Sequence, residues 1–378
     1  MYELNSMQQS MECSVFHLND SLSQVILKLP VDVFNNGGKP NTKLRITYSL
    51  LYSFKDSRIA DSLSIEIQTT PIIDQSALQQ SAVLKTSLGQ DYILFVKVED
   101  LNTKKERICI KPFSKINHAT AAWFKAEDEF GSTLGNQLIP YGEQIRIKAS
   151  DTLLNRIYCR AFFRTFPPAD PPFIMKERTA FDYIPDSLFT LPLINGQSEY
   201  ISLDRPGFCI FQIDTSNWEG YSLQLMPTGF PELSSYSSML EALRLLTSNE
   251  EFAELRNLGS AKDAVDKFWL TVTGSPERAI QRIRDFYNRL ALTNELFTSY
   301  CEGWKTDRGL IYLIFGPPNL VYRSDLYETW TYGEANNYRS MQFVFYKVDN
   351  PFTEQDYILQ RQPNYKTYWY NAVEQWRR

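Results

Sequence analysis

Only two histidines, His17 and His118, occur in 378 residues. A Ser-His-Asp or Cys-His site needs a histidine in the cleft of the fold. These two fall in separate regions of a β-patterned stretch and read as surface or loop residues. No HExxH, GxSxG or GxxxxGK run is present, and no G-x-G of any kind. These absences set aside zincins, nucleophile elbows, P-loops and dinucleotide sites. EF-hand spacing is also missing, so no metal or cofactor is expected. The five cysteines, Cys13, Cys109, Cys159, Cys209 and Cys301, are far apart and form no CxxC, which removes most zinc and thioredoxin-like readings. Cys109, Cys159 and Cys209 lie in apolar strand patterns, where a thiol is usually a small buried hydrophobe. The odd count argues against a full disulfide framework and leaves room for one bridge.

Long apolar runs are absent too, so no transmembrane helix is expected. The first residues, MYELNSMQQSMECSVFHLND, hold no apolar core of the signal-peptide kind. Positive charge is scarce: the net charge is −5, and the densest basic cluster is Lys104-Lys105-Glu106-Arg107. A nucleic-acid partner would normally call for a basic face, so none is expected.

What is present is β-structure followed by helices. Aromatic residues make up 14% of the chain, mostly Phe and Tyr, which suits strands. The length implies two or three domains. Over residues 1–116, apolar residues alternate in SQVILKLP (Val25, Leu27, Leu29), LRITYSLLYSF (Leu44, Ile46, Tyr48, Leu50) and SLSIEIQ (Leu63, Ile65, Ile67). YILFVKVED and RICIKPF flank a polar turn from Asp100 to Lys105 and predict a hairpin. Period-two spacing with frequent turns predicts an antiparallel Ig-like sandwich. Residues 117–226 repeat the theme, with Ile145 and Ile147 on one face, a long strand at RIYCRAFFRTF, and a hairpin around Asp214 to Glu219. Pro167, Pro168, Pro171 and Pro172 rule out a central strand between them. This segment is expected to be a second β-sandwich.

Residues 227–378 are expected to hold helices and a small antiparallel sheet. Met239, Leu240, Leu243 and Leu246 form one helical stripe. Ser248 and Glu251 have capping-box spacing, with a stop at Gly259. Ser260 opens a helix whose apolar face is Val265, Phe268, Trp269 and Val272; Gly274-Ser275-Pro276 ends it and starts the next. That long helix is read from about Glu277 to Tyr300, with Ile280, Ile283, Tyr287 and Leu290 inward and Asp285 paired with Arg289. LIYLIF (310–315), YETWTY (327–332), MQFVFYK (341–347) and DYILQ (356–360) are read as strands. Tyr365, Tyr368, Trp369, Ala372 and Trp376 then define a short amphipathic helix.

The densest group of special residues is GWKTDRGLIYLIFGPPN, residues 303–319. Asp307, Asp325, Glu328 and Glu334 are the nearby carboxylates that could serve as a hydrolytic pair. The architectural reading is preferred: Asp before Arg-Gly is a common turn residue that binds backbone N–H groups. Gly303 is expected to end the long helix with a positive φ. Trp304 should plug the core, Thr306 and Asp307 should satisfy turn donors, and Arg308-Gly309 should feed a strand that Gly316-Pro317-Pro318 stops. Residues 327–378 carry eight Tyr and three Trp. They suit a sheet covered by the preceding helices and the tail, or else a glycan or peptide surface.

Gly303-Trp304-Lys305-Thr306-Asp307 resembles the motif that names the GWxTD domain. The context agrees: Arg308-Gly309, LIYLIF, Gly316-Pro317-Pro318-Asn319, the strand with Trp330, Phe343-Val344-Phe345, and the upstream Phe286-Tyr287-Asn288-Arg289. The likeness spans roughly residues 230–378, and the β-rich first part resembles the domain's usual N-terminal partner. Such domains occur in bacterial envelope proteins, especially of Bacteroidota. The resemblance implies a periplasmic or outer-membrane-associated protein and lends no catalytic residues; without a visible signal peptide, the alternative is cytoplasmic. The function expected is a non-enzymatic scaffold or protein-binding component with a protein partner in the envelope. The alternatives are a glycan-binding module using Trp304, Trp330 and Trp369, or a hydrolase of envelope polysaccharide.

Overall fold

The computed structural model describes residues 11–30, 43–53, 56–68, 77–134, 137–324, 326–334 and 340–378. The first seven strands are β1 (Glu12–Asn19), β2 (Leu22–Pro30), β3 (Lys43–Ser53), β4 (Asp56–Gln68), β5 (Ala77–Lys85), β6 (Gln90–Asp100) and β7 (Glu106–Lys115). They form two antiparallel sheets, of order β1-β2-β5 and β4-β3-β6-β7. The alternating apolar residues of both sheets meet in one core: Val25, Leu27 and Leu29 on one side, Ile46, Tyr48, Leu50 and Val96 on the other. In β4 the pattern overstates burial. Leu63 is exposed and Ile65 and Ile67 are half-buried, because β4 is the edge of its sheet. The β6–β7 turn is held by Asp100, whose carboxylate accepts the N–H groups of Asn102 and Thr103.

Nine more strands follow: β8 (Phe124–Asp128), β9 (Leu138–Pro140), β10 (Gln144–Ala149), β11 (Arg156–Phe162), β12 (Ser187–Ile194), β13 (Gln197–Ser198), β14 (Ile201–Ser202), β15 (Gly207–Gln212) and β16 (Tyr221–Met226). Hydrogen bonds link all nine into one sheet around one core. Strand β12 pairs with β11 along Ser187–Pro192 and with β13 at Leu193 and Ile194, which carries the pairing from one layer to the other. One pair, β9 with β16, is parallel; the purely antiparallel expectation misses it. None of the five cysteines forms a disulfide. The proline-rich stretch lies in the long loop between β11 and β12.

A buried polar network joins the two β-units and corrects the reading of His17 as a surface residue. The His17 side chain is buried, with Nδ1 at 2.9 Å from Ser23 Oγ, which is 2.8 Å from Thr86 Oγ1. Lys115 is also buried; its Nζ donates to Asn19 O at 2.6 Å and to Thr86 Oγ1 at 2.7 Å. Trp123, at the start of the second unit, covers both groups, and exposed His118 pairs with Asp20 at the rim. Burial, reinforced by the Lys115 charge, lowers His17 from 6.5 to about 4, and burial lowers Lys115 from 10.5 to about 8. In each window between those values the unfolded chain binds more protons than the folded one, so stability rises with pH. Acidification from pH 6.5 to 4 should therefore destabilise the protein in part through His17. Thermal melts of His17→Gln should lose less over that window than wild type; an equal loss would mean that His17 charges without cost.

The remainder is helical and then mixed. The helices are α1 (Tyr236–Ala242), α2 (Asn249–Arg256), α3 (Ala261–Thr273), α4 (Pro276–Phe297), α5 (Asp307–Phe315) and α6 (Tyr365–Trp376). Strands β17 (Leu320–Arg323), β18 (Tyr327–Tyr332), β19 (Met341–Lys347) and β20 (Tyr357–Leu359) form an antiparallel sheet in that order. The capping signals act as the sequence indicates. Ser248 and Glu251 form a capping box, and Gly274 is left-handed between α3 and the Ser275 cap of α4. No helix among the described residues is long and apolar enough to cross a membrane.

Several expectations change here. The LIYLIF run is not a strand but lies within α5, buried on every side. Leu310, Leu313 and Ile314 face the helices, while Ile311 and Tyr312 face the sheet. A helix between two layers must be apolar all round, so a continuous apolar run does not by itself mean a strand. Helix α4 stops at Phe297 rather than Tyr300, and Ile280 points to solvent while Ala279 and Phe286 take the inner positions. Tyr368 is likewise exposed on α6, and Val373 is buried. Asp285 does not pair with Arg289; it accepts from Gln281 Nε2 at 2.8 Å.

Candidate functional site

At Gly303 three stretches of backbone cross in close contact. Thr298 Oγ1 accepts the Gly303 N–H at 3.1 Å, and Asn294 Oδ1 accepts the Trp304 N–H at 3.2 Å. Residues 303–305 form a single 3-10 turn. A Cβ on Gly303 would stand 2.0 Å from the Thr293 carbonyl oxygen of α4, and one on Gly309 would stand 1.8 Å from the Gly303 carbonyl oxygen. Gly303 is thus required for space; its φ is not positive, contrary to expectation. Gly316 does take a positive φ, of 82°, and ends α5 ahead of Pro317 and Pro318. Trp304 fills the interior among the helices.

Thr306 caps α5, accepting the Gly309 N–H at 3.0 Å and donating to Gly303 O at 2.8 Å. Asp307 does not serve the turn. It is 8% exposed and reaches across to the far end of the sheet: Oδ2 accepts the Leu359 N–H at 2.9 Å, and Oδ1 pairs with Arg361 Nη2 at 2.5 Å. Burial pushes the Asp307 carboxyl upward, and Arg361 works against that shift. Arg308 is buried beside it. Its Nη1 lies 3.3 Å from Glu328 Oε1, its Nη2 donates to Gln355 Oε1 at 2.6 Å, and its guanidinium covers Tyr357 at 3.9 Å. Glu328 also receives Arg323 Nε at 2.9 Å and Trp330 Nε1 at 3.0 Å.

The motif thus contributes two buried ion pairs that tie α5 to the sheet. Acid–base hydrolysis would need two carboxylates that both reach a substrate. Asp307 and Glu328 are instead buried with their oxygens engaged. Glu334 lies exposed beyond β18, and Asp325 is outside the described residues. Trp304, Trp330 and Trp369 are all buried, so none offers a ring face to a sugar. Among the described residues no three His, Cys, Asp or Glu gather as a metal would require.

The proline-rich loop of the second β-unit lies across the motif. Ala169 N–H donates to Lys305 O at 2.8 Å, Gln362 N–H to Pro172 O at 3.1 Å, and Arg361 Nη2 to Asp170 O at 3.1 Å. Further along the loop, Arg178 forms a two-pronged pair with Asp356 at 2.9 Å for each bond and reaches Tyr300 OH at 2.7 Å. Beside it, Phe162, Phe208 and Ile210 pack against Phe352 from the C-terminal unit, with the Phe208 and Phe352 rings 4.6 Å apart. Arg361, Gln355, Tyr357, Arg178 and Asp356 carry much of this site, and sequence reasoning passed over them. The one available signal was the placing of Arg361 directly after an apolar strand.

The GWxTD domain family matches residues 207–378. The chain carries a GWxTD domain over these residues. Among curated proteins, none matches the sequence. The match begins at Gly207 rather than near residue 230, so the GWxTD domain takes in β15 and β16. The packing gives a reason: Phe208 and Ile210 of β15 share an aromatic cluster with Phe352 of the sheet region.

One face of the GWxTD sheet packs on the helices through Val321, Trp330, Phe343 and Phe345. The opposite face carries the alternate residues, among them Tyr322, Tyr327, Thr329, Gln342, Val344 and Tyr346, with no charge in these positions. The Tyr322, Tyr327 and Tyr346 rings follow one another at 6.0 and 6.3 Å. Tyr322 and Tyr346 are exposed.

Proposed function

We propose that the protein is a non-enzymatic binding component of the cell envelope, in which the β-units form a spacer and the GWxTD domain holds a protein partner. The observation that carries this reading is the uncharged tyrosine face on the open side of the sheet. Rigid aromatic side chains with few charges are what the centre of a protein interface favours. The engaged carboxylates of the motif support a binding role over a hydrolytic one. The three-on-four strand order of the first unit supports its reading as Ig-like. The family resemblance supports an envelope location.

A photo-crosslinking residue in place of Tyr346, in the full chain within native envelope preparations, tests this. A protein adduct should form there, should be lost with Tyr322→Ser and Tyr327→Ser together, and should be missing for the same probe at exposed Leu153 in the second β-unit. No adduct above the Leu153 control would refute the reading. Tyrosine-dependent sedimentation with insoluble envelope polysaccharide, in place of an adduct, would favour the glycan module.

A further inference from the structure

A groove of about 580 Å³ lies between α4, the end of α5 and α6. That is within the common range for small-ligand sites, roughly 300–1,000 Å³. Ile314, Phe315, Met341 and Trp376 supply apolar lining, and Asn288, Asn371 and Gln375 supply amides. Two cations line it. Arg282 Nε donates to Arg378 O at 3.0 Å. Arg289 lies half-buried with its guanidinium 4.6 Å from the centre of the Trp376 ring, and one of its five N–H groups reaches Leu313 O at 3.3 Å.

Arg289 stands apart from the other inward-turned arginines of the domain. Arg308 is paired with Glu328, Arg361 with Asp307, and Arg377 with Glu251. Among the described residues no carboxylate lies within ion-pair distance of Arg289. The carboxylate that acts on it, Asp285, is one turn away and bound to Gln281. Burial disfavours the Arg289 charge, so a counter-charge brought into the groove would be favoured. Guanidinium groups select planar oxyanions through two parallel N–H bonds. The amides can bind peptide groups both as donors and as acceptors, and the apolar lining suits a side chain.

We infer that this groove is a binding site for a peptide carboxylate, with Arg289 as the anion anchor and the Trp376 side as the seat of the neighbouring apolar side chain. The site is separate from the tyrosine face and does not depend on it. The probes are N-acetylphenylalanine, its C-terminal amide, and glucuronate, followed by saturation-transfer NMR on the intact protein. N-Acetylphenylalanine should bind at least ten times more tightly than the amide. Asp285→Asn, which removes the competing negative charge, should tighten binding several-fold. Asn371→Asp places a negative charge on the exposed rim without touching the core, and should weaken binding about as much as loss of the carboxylate does. Arg289→Gln should abolish binding. Because Arg289 also supports the end of α5, the two rim variants decide if that protein fails to fold. Equal binding of acid and amide, or indifference to both rim variants, would overturn the inference. Binding of glucuronate without N-acetylphenylalanine would overturn the peptide assignment.

Discussion

Alanine at Gly309 should destabilise the C-terminal unit by about 3 kcal/mol or more, at or beyond the upper end seen for overpacked interiors. Helix propensity alone says the opposite: within a helix, Gly→Ala gains about 1 kcal/mol. The position lies in the first turn of α5, so the two effects compete directly. The new Cβ would sit 1.8 Å from the Gly303 carbonyl oxygen. Relief requires α5 to move away from the 303–305 turn. The turn cannot retreat, since Gly303 itself lies against Thr293 of α4 with no room for a Cβ. Moving α5 would also stretch the Thr306 cap and the Asp307 bonds to Leu359 and Arg361. Gly303→Ala should behave alike. Gly259→Ala, where a Cβ meets nothing within 4 Å, should change stability by no more than about 0.5 kcal/mol, as surface substitutions do. Urea melts followed by tryptophan fluorescence compare the three; equal stability of Gly309→Ala and wild type would refute the backbone crossing.

Removing one charge from the buried pairs should produce the second large effect. Glu328→Gln leaves the Arg308 guanidinium, itself 3% exposed, without its counter-ion. Losing one partner of a buried pair typically costs about 3–5 kcal/mol, because the other charge stays desolvated. Replacing both Arg308 and Glu328 with methionine removes both charges and should be less harmful than the single change. Gln355 and Arg323 would lose a partner in the double variant, so it should not reach wild-type stability. Asp307→Asn is the parallel case, with Arg361 left behind. A folded Asp307→Asn protein of undiminished stability would show that this pair holds nothing together. The ordering, with the double variant above the single one, separates charge desolvation from lost packing.

Local chemistry made much of the fold legible. Period-two alternation located most strands of the first unit, since each buries one face against the opposing sheet. The Ser248 box, the Ser260 and Ser275 caps and Gly274 placed helix ends, because such signals act over a few residues. Legibility ended where one pattern serves two structures. Six apolar residues in a row suit a buried strand or a helix buried all round, and α5 proved to be the latter. Ile280 and Tyr368 show the same limit on a smaller scale: helical spacing offers several faces, and packing selects among them.

The site divides along the same line. By itself, the sequence determined the GWxTD motif, the role of Thr306 in holding nearby backbone donors and the stop at Gly316, which depend on neighbours three or four residues away; that Thr306 caps a helix emerged only with α5. Only the tertiary structure decided that Gly303 and Gly309 are required for space, since the atoms they admit belong to α4 and to each other's turn. It alone joined Asp307 to Arg361, Arg308 to Glu328 and Arg178 to Asp356, pairs separated by 54, 20 and 178 residues. A charge in a sequence carries no record of its counter-ion. Only the fold brings the partners together, and where it takes both out of water, as for Arg308 and Glu328, the low dielectric strengthens their attraction and makes the loss of either one costly.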